Sequence, residues 1–259
     1  MKTASKVWLI ILAIIILGVV SLFAIMGYIP GLSTLFGTNK PRNLGITYTK
    51  ADFTSAHNKS AVTYATLPPD TPASASITFS DSHAVETSWN SAEMTALLNN
   101  RPWKYWPISD VQMKINNDGT VEMSGIIDSE KLEGYAAAIG VPTTVADRTS
   151  LLPTSAAFYI KGTSSLNNNR VSTFDITSAE LGRMPISTNL LLSYNTIRHA
   201  YADDISNELS KYSGKKAAIV DFINQKLDWI SGFFAKSASF SNGKLQFDGT
   251  LPDEELSVQ

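Results

Sequence analysis

A run of about 23 uncharged residues, Val7 to Ile29, dominated by Val, Leu, Ile, Ala and Phe, constrains this chain more than any other feature. As a helix rising about 1.5 Å per residue it would reach about 35 Å, enough to cross a hydrocarbon layer about 30 Å thick. The alternative is a cleaved signal peptide, whose apolar part is normally about 7–15 residues long and ends at a small-x-small site. Ala24-Ile25-Met26-Gly27-Tyr28-Ile29-Pro30 offers no such site. The expectation is therefore one uncleaved transmembrane helix over 7–29. Lys2 and Lys6 precede it, and the first charge beyond it is Lys40. The positive-inside rule then predicts a single-pass protein of the cell membrane, with residues 1–6 as a cytoplasmic tail and the C-terminal domain extracytoplasmic.

The remainder is long enough for a domain with its own core. With no cysteine, disulfides, thiolate catalysis, iron–sulfur clusters and zinc–thiolate sites are excluded, so packing alone must stabilise it. A formal charge of −2 and a pI near 5.9 leave no basic footprint for nucleic acid.

Residues 30–45 read as a tether rich in Pro, Gly, Ser and Thr. A small helix-containing segment, 46–66, follows. Its helix runs from about Lys50 to Ser60, with Thr49 and Asp52 spaced as a capping box. A Pro-rich linker covers 67–75. Residues 76–252 then predict an α+β domain of antiparallel hairpins, forming a curved sheet around long amphipathic helices. Asn90 and Glu93 signal a helix start. Hairpins are expected across Asn116-Asn117-Asp118-Gly119, Asn167-Asn168-Asn169 and Ser241-Asn242-Gly243. Residues 253–259, with Asp253-Glu254-Glu255, read as a frayed acidic tail. The outgoing strands of the first and third hairpins share the pattern G-x-[VL]-x-[MF]-x-G-x-[IL], at Gly119–Ile127 and Gly243–Leu251. Its second glycine is not demanded by a turn and in a strand marks a bend or a close backbone approach.

No catalytic constellation, cofactor motif or metal site is legible. His57, His83 and His199 fall in separate elements, and neither a G-x-S-x-G elbow nor a phosphate-cradling glycine loop is present. Two features invite a binding role. Leu190, Tyr194, Ile197, Tyr201, Ile205, Leu209 and Tyr212 recur at spacings of four or three, the stripe of a long amphipathic helix. Such a helix against a twisted sheet either completes a filled core or leaves an elongated apolar cavity. In the second case Leu190, Tyr194, Ile197, Tyr201 and Ile205 line it, with Ile223 and Leu227 opposite. The other feature is Arg101-Pro102-Trp103-Lys104-Tyr105-Trp106-Pro107. Trp103, Tyr105 and Trp106 either form a surface loop that stacks on a ligand or fold their rings onto the core.

The stretch Asp175–Ile186, with Leu181-Gly182-Arg183-Met184-Pro185, resembles a strand–Gly–x–x–Pro–helix run of the YpmS-like anchored proteins of Gram-positive cells. Thr87–Asn99 is similar to a T-x-x-E-x-x-x-L-N helix near the start of their exported domain. Those proteins in turn resemble LmeA-type domains, relatives of tubular lipid-binding (TULIP) folds. The resemblance covers about residues 77–251 and implies a non-catalytic protein holding a lipid or other apolar envelope molecule. The competing expectation is a scaffolding module that docks envelope proteins or cell-wall polymer.

Overall fold

Short-range signals in the sequence become helix starts and tight turns, and the sheets are assembled from them. The computed structural model describes residues 37–141, 154–186 and 215–259, together with 16, 17, 20, 21 and 33. Helix α1 (Lys50–Ser60) opens on the Thr49–Asp52 capping box, with Asp52 Oδ2 accepting from the Thr49 N–H at 2.8 Å. Helix α2 (Ser91–Asn99) opens on Asn90 and Glu93 in the same reciprocal manner. Helices α3 (Ser129–Ala138) and α4 (Lys215–Trp229) complete the α-helices among the described residues of 37–259.

Three hairpins build the large sheet: β4 (Ile108–Ile115) with β5 (Val121–Asp128), β6 (Ser155–Asn167) with β7 (Arg170–Leu181), and β9 (Phe234–Ser241) with β10 (Lys244–Leu251). With β3 (His83–Asn90) and the two-residue β8 (Met184–Pro185) they form eight strands, ordered β3-β10-β9-β6-β5-β4, with β7 branching from β6 and β8 paired to β7. Strand β6 is the shared member. Its residues 155–162 pair with β5, and residues 165–167 pair with β9 on the same edge. Gly162 sits at the change of partner, beside a register shift against β7, and a Cβ there would lie 2.1 Å from the Asp175 carbonyl oxygen. Only glycine allows the backbones to approach so closely at this bend. Gly249 repeats the device in β10, at the register shift against β9, where a Cβ would meet the Phe234 oxygen at 2.0 Å.

Helices α1 and α2 pack over the β3 end, where Trp89 lies among Val85, Ala56, Ala235, Ala238 and Phe247. The indole N–H of Trp89 donates to the Ala56 carbonyl at 3.2 Å. Glu93, buried, ties the helices together. Lys59 Nζ donates to both its oxygens at 2.6 and 2.8 Å, and Ser55 Oγ donates to Oε1 at 2.6 Å. Burial pushes the Glu93 carboxyl up, but the hydrogen bonds from Lys59, Ser55 and the Asn90 N–H outweigh it and hold it below the usual carboxylate value. A depressed folded pKa means that this stabilisation is present above the unfolded value and is lost as the pH falls through the folded one. Glu93→Ala, which removes the cap and the cross-link together, is expected to lower stability by about 2 kcal/mol at neutral pH. The deficit should shrink in acid, as measured by urea melts at two pH values.

A second sheet has three strands in the order β1 (Thr63–Thr66), β11 (Glu254–Ser257), β2 (Ile77–Ser80), with β1 parallel and β2 antiparallel to β11. The stretch expected to be a frayed acidic tail is thus the middle strand of a sheet. Val258 beyond it is 1% exposed, its N–H donating to Ser76 and its carbonyl accepting from the Lys104 N–H.

Two expectations are corrected. The fold is mainly β, with 43% strand against 27% helix, so the α+β class with a sheet curved around long amphipathic helices does not hold. Capping signals mark where helices start, yet those described here are short, and the long antiparallel strands set the class. The large sheet also stays open rather than closing on itself. The single-pass anchor is corrected as well: among the described residues no helix is long and apolar enough to cross a membrane. Nearly all of the predicted span 7–29 lies outside the described residues. The cell-membrane localisation, with a cytoplasmic N-terminus and an extracytoplasmic domain, rested on that span and falls with it.

Candidate functional site

Between the small sheet, α3 and α4 lies an apolar cleft of about 340 Å³. Each wall follows from a local pattern. Ile77 and Phe79 alternate on β2 and face it together. Ile223, Leu227 and Ile230 recur at spacings of four and three on α4 and its C-terminal edge, and Phe222 joins them. Tyr135 and Ile139 come from α3 and its C-cap.

The fourth wall is the loop 101–107. Trp103 is 5% exposed, and its indole N–H donates to Ser76 Oγ at 3.2 Å. The Trp106 indole N–H donates to the Leu98 carbonyl at 2.8 Å. Anchored by these bonds, the two rings pack on Tyr135, with centroids 5.4 Å from Trp103 and 6.2 Å from Trp106. At the rim Trp229 is 40% exposed and meets the Phe79 ring edge-on at 5.8 Å.

Charge enters the cleft at two points. Arg101 lies over the Trp106 ring at 5.0 Å, and its Nη2 donates to Glu255 Oε2 at 2.6 Å. Glu255 comes from β11 and is 4% exposed. Burial pushes its carboxyl above the usual range, with Arg101 pulling the other way. The pair is incompletely satisfied, because Arg101 Nε and Glu255 Oε1 are buried and have no hydrogen-bond partner. Lys226 is the other cation. Its Nζ donates to the Ile139 carbonyl at 2.6 Å and lies 5.1 Å from the Phe222 ring centroid.

Of the residues anticipated from sequence, Ile223 and Leu227 line this cleft. Trp103 and Trp106 line it too, their rings turned inward rather than displayed on a surface loop, while Tyr105 packs against the core cluster of Ile77, Trp103 and Ala138. Leu190, Tyr194, Ile197, Tyr201 and Ile205 lie outside the described residues. The polar members Arg101, Lys226 and Glu255 were not anticipated. Arg101 stood within the aromatic segment already singled out, but its partner is 154 positions away.

A second hollow, of about 380 Å³, is bordered by Pro41, residues 46–48, Thr95, Asn99 and residues 110–112. Its side-chain amides are spent on the fold. Gln112 Oε1 accepts from the Leu44 and Ile46 N–H groups, and Asn99 bridges Thr95 and Val111. The apolar cleft is the stronger candidate, since it combines a large apolar lining with a few polar groups.

Comparison of the chain with protein-family models, curated proteins and solved structures found no match.

Proposed function

We propose that this protein is a non-catalytic binding protein that takes a lipid or another small apolar molecule into the cleft between α3, α4 and the Trp103–Trp106 loop. The observation that carries this reading is the convergence of Ile77, Phe79, Trp103, Trp106, Ile223 and Leu227 on one hollow of about 340 Å³. Solvated apolar walls are costly, and a ligand that displaces water from them gains about 25 cal/mol per Å² of apolar surface buried. The lining is also sparing in chemistry: among the described residues its charged side chains are Arg101, already engaged by Glu255, and Lys226. The suggested resemblance to lipid-holding proteins points the same way by analogy of function.

The test is uptake of the neutral dye Nile red by the full-length chain, read by dye emission and by the emission of the cleft tryptophans. Saturable one-to-one uptake is expected. Ile223→Trp, which fills the hollow from α4, should weaken it by about tenfold or more. Absence of saturable uptake, or uptake indifferent to Ile223→Trp, would sink the proposal.

A further inference from the structure

We infer that the ligand of this cleft is an amphiphile with one anionic group, seated with that group at Lys226 and its apolar part against Phe79, Trp103 and Ile223. This deepens the binding reading above and rests on it. The argument starts from charge. Among the described residues the charged ones that line the cleft are Arg101 and Lys226, and both are cations. Glu255 neutralises Arg101 through the 2.6 Å contact. Among the described residues no carboxylate forms an ion pair with Lys226, so of the two cations it is the one that lacks a counter-charge among them.

Lys226 has a structural role that must be weighed first. Ile139 is the C-cap of α3, and an ammonium hydrogen-bonded to the last carbonyls of a helix is a familiar cap. That contact uses one of the three ammonium protons. It does not supply a negative charge, and burial in the apolar cleft pushes the Lys226 ammonium below its ordinary pKa with no opposing carboxylate. Placing an anion beside it would offset that cost and add charge-assisted hydrogen bonds.

Arg101 Nε and Glu255 Oε1 are buried without hydrogen-bond partners, but an atom closed to solvent is equally closed to a ligand, so that imbalance belongs to the ion pair and not to ligand recognition. The cation at Lys226 beside the apolar walls therefore selects a monoanionic head on an apolar body.

Decanoate and decan-1-ol, alike in chain and different in charge, separate this inference from the reading beneath it. Binding to the full-length chain at neutral pH is measured by calorimetry and by tryptophan emission. Decanoate is expected to bind about tenfold tighter than decan-1-ol, the scale of one charge-assisted hydrogen bond. Lys226→Met should erase that preference, and Lys226→Arg should restore it. Equal affinity for the two probes on the unaltered chain overturns the anionic head and leaves the apolar cleft standing. So does a preference that survives Lys226→Met. Binding of neither probe overturns both.

Discussion

Removing residues 254–259 is expected to abolish the cooperative unfolding transition of this chain. The deleted strand β11 makes four register pairs with β1 and four with β2, so its loss leaves two short strands with nothing between them. The aromatic loop loses its anchors in the same step. The Lys104 N–H no longer reaches the Val258 carbonyl, and Ser257 Oγ no longer donates to Pro102. Arg101 loses Glu255 as well. Each hydrogen bond is worth about 1 kcal/mol net, against a total stability of about 5–15 kcal/mol for a typical domain. The bonds of β11 alone account for most of such a margin. Thermal melts followed by far-ultraviolet circular dichroism check this. Removing only Gln259, which is exposed, should leave the melt unchanged. A chain lacking 254–259 that melts cooperatively within a few degrees of the intact one would contradict the central position of β11.

The elements legible in the sequence were those whose causes are local. Thr49 with Asp52, and Asn90 with Glu93, each satisfy the first turn of the helix they begin, so spacing alone reveals them. The turns at Asn116–Gly119, Asn167–Asn169 and Ser241–Gly243 were legible for the same reason, and the glycine within β10 signalled the close approach found at Gly249. Partnership was not legible. Nothing in Thr63–Thr66 announces that its parallel neighbour is Glu254–Ser257, and nothing in β6 announces that it leaves β5 for β9 after Gly162. Glu254-Glu255 read as solvated because a buried carboxylate is costly unless paired, and the residue that pairs it is Arg101, far away in sequence. The cleft was half-visible on the same logic. The apolar positions Ile223 and Leu227 follow from helical period, whereas its charges depend on contacts between distant segments.

Trp103→Ala should be the most damaging single substitution in the cleft wall, lowering stability by about 3–5 kcal/mol. Its ring is almost wholly enclosed and meets Ile77, Ala138, Tyr135 and Trp106, so truncation opens a cavity where three elements and the small sheet join. Rings of this kind add about 0.5–1.5 kcal/mol per aromatic pair beyond the area they bury. The polar edge matters separately, because removing the indole leaves Ser76 Oγ, itself on a fully buried residue, without that donor. Trp103→Phe divides the two contributions. It keeps most of the ring contact and loses the hydrogen bond to Ser76, and should cost about 1–3 kcal/mol. Urea denaturation of the three proteins gives the comparison directly, with the alanine variant expected at the lowest midpoint and phenylalanine between. A midpoint for Trp103→Ala within the error of the unaltered chain would mean that the ring is not a support of the fold. Binding adds a further discrimination. Phenylalanine at this position retains an apolar wall, so Nile red uptake should persist in Trp103→Phe at a reduced affinity. Loss of uptake in a Trp103→Phe protein that still melts cooperatively would place the indole N–H or its precise shape, rather than apolar area alone, at the centre of recognition.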